Sequence, residues 1–545
     1  MMKVIVENHI PYIKGRLEPF AEVLYLAPEA ITPEAVRDAD VLIVRTRTRC
    51  NAALLSNSRC RFIGTATIGT DHIDLPYCRQ HGITVANAPG CNAPAVAQYV
   101  HSVIAQFMEA EGIADCRLLT LGIVGVGHVG SIVERWARQL GFSVLLCDPP
   151  RARREGNEGF ASLADIAAKA DIITFHTPLT RTGDDATWHL CDKSFIDSLS
   201  HCRLLINSAR GEIADNSALV DALECGKIGY VAIDCWENEP NIDTRLLEKA
   251  FVATPHIAGY SAEGKQRATA MILTELKQHF GWEIAIDEPA LPAAGAAMVT
   301  QRLIADSYNP LADTALLRAG NASHPVTENH SQAGEWNPAA FEALRNGYSL
   351  RHEVRTPCVC IFGASSAQIG SVFTDAAFSL GAALADAGFE CINGAGREGI
   401  MRAVTDGALS RGGTVTGIIP LFMVDRGWCY ERLSATIVTP DMESRKALME
   451  QRSDCIVAMP GGCGTLEELL QAITRRQLGL YDGEIVIFNV DGYFNPLLSM
   501  LDNCVEQHFM HSSHRALWQV ASTVAEVVEI ASTRHSHPII ASKYQ

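Results

Sequence analysis

The 545-residue sequence has no apolar run long enough to span a bilayer, which excludes a helical integral membrane protein. It holds 17 cysteines but no C-x-x-C pair and no Cys/His spacing of a metal site, so no metal is expected. Most cysteines, Cys147, Cys360 and Cys455 among them, lie in apolar runs and read as reduced core residues of a cytoplasmic protein. The N-terminus, MMKVIVENHIPYIKG, goes straight into a strand pattern without the apolar core of a signal peptide. Positive charge is in deficit. The 45 Lys and Arg stand against 62 Asp and Glu, a net charge of −17, which argues against nucleic acid as a general partner because binding its backbone needs clustered cations. Small anionic substrates remain open through local basic sites. With 48% apolar and 20% charged residues, a chain of this length has the composition of a globular protein of about three or four domains.

The stretch Leu118 to Gly130, LLTLGIVGVGHVG, reads as a buried strand running into a glycine turn, followed by a helical period over Ser131 to Leu140. Gly125, Gly127 and Gly130 fit G-x-G-x-x-G. The first permits the turn, the second lets backbone approach a pyrophosphate, and the third lets helix and strand pack closely. A second strand, Ser143 to Cys147, ends in Asp148, whose carboxylate falls where a ribose 2'-hydroxyl is held. That favours NAD over NADP, because a 2'-phosphate would be repelled. A lone glycine pattern is weak; strand, glycines, helix, strand and acid in this order are stronger.

Residues 1 to about 100 alternate short apolar runs (Val4 to Val6, Val23 to Leu26, Val41 to Val44, Phe62 to Ala66, Ile83 to Ala86) with helical segments, an α/β unit of parallel type. Between the runs lie TRTR and GTATIGTDHID, loops at strand ends where such sheets bind ligands. Arg45, Arg47 and Arg49 are either solvated charge or an anion-binding loop. Downstream, DIITFHTP, RLLINSARG and YVAID are further strands that deliver polar groups to one edge. Arg210, Glu239 and His256 then offer a combination suited to oxidising a secondary alcohol. A His beside a carboxylate supplies a base near neutral pH, and an Arg grips a carboxylate with a bidentate fork.

The motifs VRTRT, GTATIGTDHID, NAPGCNAPAVAQYV, GIVGVGHVG, LLCDPPRA, TFHTPLT, NSARGEIADN, DCWENEP and TPHIAGYS resemble the D-isomer-specific 2-hydroxyacid dehydrogenases over residues 1 to about 355, and within them the branch that oxidises 4-phosphoerythronate in vitamin B6 synthesis. The resemblance implies catalytic roles for Arg210, Glu239 and His256, with His256 as acid/base. It implies substrate contacts for Thr46, Thr67 and Tyr260, and NAD contacts for Asp148, Thr177, Asp234 and Gly259. It also implies a flavodoxin-like substrate domain in two pieces, 1–98 with 257–282, around a Rossmann NAD domain at 99–256. Residues 283–355 include the Ala/Pro stretch DEPALPAAGAA and a polar loop at 319–337 that reads as mobile. SYNPLADTALLR and FEALRNGYSLRHEV resemble part of that family's small α+β dimerisation domain, so this segment is expected to be a dimerisation module or a linker, and the chain a homodimer.

After Arg355 a second α/β pattern begins, with strands at Val359 to Phe362, Phe389 to Asn393, Val415 to Ile419, Cys455 to Met459 and Glu484 to Asn489. In PGGCGTLEE, Gly461, Gly462, Gly464 and Thr465 open a helix with backbone N–H groups and a hydroxyl, a phosphate cradle that lacks the Walker lysine. Glu467 and Glu468 on the same helix place a carboxylate near a bound phosphate, which suits breaking a ribose C1–N bond through an oxocarbenium-like state. PGGCGTLEE, with MESRK upstream and QLGLYDGEIVIFNVDGYF downstream, is similar to the Lonely Guy family, once labelled lysine decarboxylases, over about 357–512. The similarity implies a second Rossmann-like domain at 356–545 that releases a base from a nucleoside 5'-monophosphate, AMP or a cytokinin ribotide, with Glu468 and Arg445 catalytic. The sequence departs from that family's G-G-G-x-x-G-L-M-G at Ala395, Ile400 and Arg402, and MESRK lacks the usual histidine after methionine. A bifunctional enzyme is therefore expected. The alternatives are a phosphoglycerate-type dehydrogenase and a rear module that binds a nucleotide or cofactor without catalysis.

Overall fold

The computed structural model describes residues 2–286, 301–322, 336–354 and 356–533. The Ala/Pro stretch and most of the loop read as mobile lie outside the described residues. The chain divides into two compact units, one formed by Met1–Pro292 with Ile304–Val354 and a second containing Arg355–Gln545. No helix among the described residues is long and apolar enough to cross a membrane.

The first unit holds two parallel sheets. One has five strands in the order Ala21–Leu26, Met2–Glu7, Val41–Val44, Phe62–Thr65, Thr84–Ala86, the flavodoxin-like order. Val41–Val44 and Phe62–Thr65 are buried along their whole length, as strands covered by helices on both faces must be. The long helix Ala262–Phe280, capped by Ser261, returns to this lobe and packs Ala268, Ile272, Leu273 and Leu276 into its core. The other sheet has six strands in the order Val252–Ala253, Tyr230–Ile233, Leu204–Asn207, Ile172–Phe175, Thr120–Val124, Ser143–Cys147. Its order reverses between Thr120–Val124 and Ile172–Phe175. Chains leave that point in opposite directions and open a crevice at the carboxyl ends, so a ligand site belongs there.

The strand expected from Leu118 begins later. Cys116–Leu118 form a short 3-10 turn with Leu118 74% exposed, and the buried strand is Thr120–Val124. An apolar side chain does not itself say whether the sheet has begun. The helix after the glycines starts at His128, directly behind Gly127. Among the described residues of 301–354 there are three helices, Gln301–Ser307, Pro310–Ala322 and Pro338–Asn346. Leu317 and Phe341 from them are fully buried in the same core as Phe175, Leu205 and Val231, so this segment completes the second sheet's apolar face.

The second unit is one seven-stranded parallel sheet in the order Ala435–Thr439, Val415–Pro420, Glu390–Asn393, Cys358–Phe362, Cys455–Ala458, Glu484–Phe488, Gln519–Ala521. Its reversal lies between Cys358–Phe362 and Cys455–Ala458, which places the loop PGGCGT at the switch point. On one face the helices Ser371–Asp386 and Gly399–Ser410 touch backbone to backbone. A Cβ on Gly381 would run into the Val404 carbonyl and one on Gly407 into that of Phe378.

Candidate active sites

In the first unit the three glycines do separate work. Gly125 has φ 89°, and a Cβ there would meet the His176 carbonyl at 2.9 Å and Thr177 Cγ2 at 2.9 Å. A Cβ on Gly130 would run into the Gly125 carbonyl oxygen, whereas one on Gly127 would meet nothing within 4 Å. The open face lies at the start of the helix His128–Leu140, which has no side-chain cap, so its first N–H groups are presented to a ligand. Asp148 ends the next strand; its carboxylate accepts from Val126 N at 2.8 Å and Arg151 N at 2.9 Å, bracing the turn. Beside the turn, the buried Thr177 Oγ1 has no partner among the described residues, and neither do Ser208 Oγ and Asn92 Oδ1. Buried polar groups are nearly always paired, so these atoms fit a cofactor's polar edge.

The strand ends deliver the rest. His256 sits after Val252–Ala253 with φ 57°, a left-handed conformation that costs about 1–2 kcal/mol in a non-glycine residue. Its imidazole Nδ1 lies 2.9 Å from Glu239 Oε2. The loop around His256 is fixed by Asp234, which is 1% exposed and accepts from Ile257 N (2.8 Å), Ala258 N (3.0 Å) and the Thr254 hydroxyl (2.7 Å). A Cβ on Gly259 would run into the Asn92 side chain. Burial opposes a charged imidazole, but the negative partners Cys235 and Glu239 outweigh it, and His256 stands well above the ordinary histidine range. The Cys235 thiol is itself pushed up by burial. Burial raises Glu239, and His256 and Arg345 outweigh that to hold it below the usual carboxylate range.

Arg210 reaches Asp71 at 3.3 Å across the loop Gly69–Asp71, while its Nη1 donates to the Ala209 carbonyl at 2.8 Å. Thr67 bonds Thr65 Oγ1 at 2.7 Å on the same loop, and Thr46 is exposed in the turn after Val44. The three arginines of that turn take different paths. Arg45 donates to the Tyr260 hydroxyl at 3.3 Å, Arg47 is ion-paired with Glu342, and Arg49 is exposed. Tyr260 also receives Lys265, whose Nζ stands 3.8 Å from the ring centroid, and Arg345, which lies 3.8 Å from Glu239.

Sequence reasoning missed Lys265, Arg345 and Arg351. Arg351 donates to the carbonyls of Ile257 and Ala258 and so holds the His256 loop from behind. Nothing in the local pattern of FEALRNGYSLRHEV marks the contacts of Arg345 and Arg351, because they close over about ninety residues of chain.

In the second unit, Arg445 Nη1 donates to Glu468 Oε1 at 2.7 Å and Arg445 Nε to the Ile418 carbonyl at 3.0 Å; Arg445 is 5% exposed. Gly394 makes room for that guanidinium, into which a Cβ would run. Burial raises the Glu468 carboxyl above its usual range, Arg445 opposes this, and Glu467 adds to it. Lys446, between Glu467 (2.7 Å) and Glu443 (2.9 Å), ties down the neighbouring acid. The helix Cys463–Gln477 starts at Gly462 without a side-chain cap. A Cβ on Gly461 would strike Thr465, whereas those on Gly462 and Gly464 would meet nothing within 4 Å, so the loop has open backbone at a helix start. Tyr493 holds it from the side by donating to the Gly461 carbonyl at 2.7 Å. Where the similar family has glycine, Ala395 adopts φ 60° and Arg402 turns to Asp406 at 3.4 Å.

Residues 95–258 match the family model "D-isomer specific 2-hydroxyacid dehydrogenase, NAD binding domain". The erythronate-4-phosphate dehydrogenase of Bacteroides fragilis is 46% identical over 353 residues, covering 65% of this chain and 97% of that protein. The chain belongs to the erythronate-4-phosphate dehydrogenase family. The Bacteroides thetaiotaomicron member of the family is 44% identical over 357 residues, again 65% of this chain and 97% of that one. Among solved structures, D-lactate dehydrogenase from Aquifex aeolicus, complexed with NAD and lactic acid, has a TM-score of 0.45 and 23% identity over 51% of this chain and 95% of that one. Beyond the reach of these relatives, residues 401–531 match the family model "Possible lysine decarboxylase", a span that contains Arg445, Glu468 and the loop Gly461 to Thr465. The chain thus joins an NAD-binding 2-hydroxyacid dehydrogenase to a Lonely Guy-type domain.

Proposed function

We propose that the first unit oxidises 4-phospho-D-erythronate to 2-oxo-3-hydroxy-4-phosphobutanoate and that the second hydrolyses the N-glycosidic bond of a nucleoside 5'-monophosphate. The single observation that carries the first half is the 2.9 Å contact between His256 Nδ1 and Glu239, beside Arg210 and a cofactor turn. Glu239 holds the proton on Nδ1 and leaves Nε2 as the base that takes the C2 hydroxyl proton. NAD, when bound, accepts the hydride from C2. Gly127 and the helix start behind it would hold its pyrophosphate, Asp148 its ribose, and Thr177, Asp234 and Gly259 its nicotinamide side. Arg210 grips the substrate carboxylate, and Thr46, Thr67 and Tyr260 line the rest. Because His256 lies above the ordinary histidine range, its neutral form, which oxidation needs, is favoured as pH rises.

For the second unit, the Arg445–Glu468 pair beside an open phosphate loop supports the hydrolase. Gly461, Gly462, Gly464 and Thr465 would take the 5'-phosphate. Glu468, steadied by Arg445, would face the ribose C1, where water replaces the base and gives ribose 5-phosphate. A second reading, nucleotide binding without hydrolysis, draws on Ala395 and Arg402 in place of glycines. Residues 1–98 with 257–282 act as the substrate lobe, 99–256 as the NAD lobe, 283–355 as a dimerisation module and 356–545 as the hydrolase, in a cytoplasmic homodimer without membrane or nucleic-acid partners. Incubating the whole chain with 4-phospho-D-erythronate and NAD, and separately with a panel of nucleoside monophosphates, tests both halves. NADH formation and base release are the expected results. Lack of either removes that half, and light scattering tests the dimer.

A further inference from the structure

We propose that Arg45, Lys265 and Arg345, gathered around the Tyr260 hydroxyl, form the subsite for the phosphate of the substrate, apart from Arg210, which takes the carboxylate. This rests on the dehydrogenase reading above. The three cations come from separate elements: the turn after Val41–Val44, the helix Ala262–Phe280 and the helix Pro338–Asn346. They meet at one side chain. Arg45 donates to the Tyr260 hydroxyl at 3.3 Å, Lys265 Nζ is 3.8 Å from its ring centroid, and Arg345 bonds it while standing 3.8 Å from Glu239.

The charge at this point is unbalanced. Arg47 in the same turn is neutralised by Glu342, and Arg210 by Asp71. Neither Arg45 nor Lys265 is ion-paired with a carboxylate among the described residues, and Arg345 shares Glu239 with His256. Three cations facing one shared carboxylate repel each other, and an incoming dianion offsets that repulsion. The neighbouring groups register the surplus. Burial raises the Tyr260 hydroxyl, yet Lys265, Arg345, Arg45 and His256 draw it down to about 7. Lys265 is lowered to about 8 by burial, helped by Arg45 and Arg345 against the pull of Tyr260.

Substrate geometry divides the two anions. The carboxylate is bonded to C2, the carbon whose hydroxyl His256 serves, so it lies beside the reacting centre. The phosphate is two carbons farther along. A single, partly ion-paired Arg210 suits the monoanionic carboxylate, and the cluster of three suits the dianion.

The test compares kcat/KM for 4-phospho-D-erythronate and for unphosphorylated D-erythronate in the full chain. Arg45→Leu and Lys265→Met should each lower that ratio by roughly 10- to 100-fold, the loss of one or two charge-assisted contacts, while activity on D-erythronate persists. An equal fall on both substrates, or an unchanged ratio, would overturn the subsite. If the wild type oxidises neither compound, the dehydrogenase reading fails separately. The subsite is then read from the near-ultraviolet phenolate titration of Tyr260, with Tyr260→Phe as the blank. Added inorganic phosphate should move that titration to higher pH in the wild type and less in Lys265→Met; no movement would overturn the proposal.

Discussion

Two buried carboxylates, one in each unit, meet a cation at nearly the same distance, 2.9 Å for Glu239 and His256 and 2.7 Å for Glu468 and Arg445. They are nevertheless pushed in opposite directions. Burial raises both. Around Glu239 it is outweighed by His256, Arg345 and the Trp236 N–H, so the group is held below the usual carboxylate range and favours a charged imidazole beside it. Around Glu468 the Arg445 guanidinium and the more distant Lys446 do not overcome burial beside Glu467, so the carboxyl is raised. The contact distance alone does not distinguish a supporting carboxylate from a reacting one; the number and sign of the surrounding charges do.

The largest expected effects remove the reacting group on either side of this contrast. His256→Ala should lower dehydrogenase turnover by roughly 10²–10⁴-fold while NAD still binds, measured by NADH formation and by cofactor titration. Glu468→Gln should abolish most base release, by about 10²-fold or more in a chromatographic assay, since an amide neither activates water nor carries charge. A Gln variant retaining full base release would mean that Glu468 is only a structural partner of Arg445.

A finer test turns on sign. Glu239 favours the imidazolium, so the acid limb of kcat/KM for oxidation should lie on the alkaline side of the ordinary histidine range. Glu239→Gln removes one of the groups that raise His256, while burial and Arg345 still lower it. The limb should therefore move to lower pH, with a smaller maximum rate. A limb that stays in place would show that the carboxylate is not what holds His256 up. Asp148 gives a smaller effect. NADP should be worse than NAD by roughly 10- to 100-fold in kcat/KM, the cost of a 2'-phosphate beside that carboxylate. The smallest effect concerns packing alone. Gly407→Val, which drives a side chain into the Phe378 carbonyl, should destabilise the second unit by about 1–3 kcal/mol in urea unfolding and leave dehydrogenase activity unchanged.

Most strand runs of the three sheets and both glycine loops were legible because their signals are local. A buried parallel strand reads as an apolar run, and a helix opening behind glycines shows its own period. The start of Thr120–Val124 was not, since Leu118 is as apolar as the residues that follow it and only the sheet decides which is covered. Arg210, Glu239 and His256 could be named from strand ends, and the contact between His256 and Glu239 lies within one βα step. Arg345 and Arg351 could not, because their partners lie about a hundred residues upstream and amphipathic spacing carries no information on long-range charge pairing. Asp234 was named as a cofactor contact, whereas its visible contacts are with the backbone that carries His256.

The most direct test of two separate active sites in one chain is a crossed assay of the full-length wild type, His256→Ala and Glu468→Ala, each measured for NADH formation from 4-phospho-D-erythronate and for base release from nucleoside monophosphates. The expected result is that each variant loses one activity and keeps the other at the wild-type level. Base release that survives Glu468→Ala, or that is absent from the wild type on every nucleotide of the panel, would contradict it.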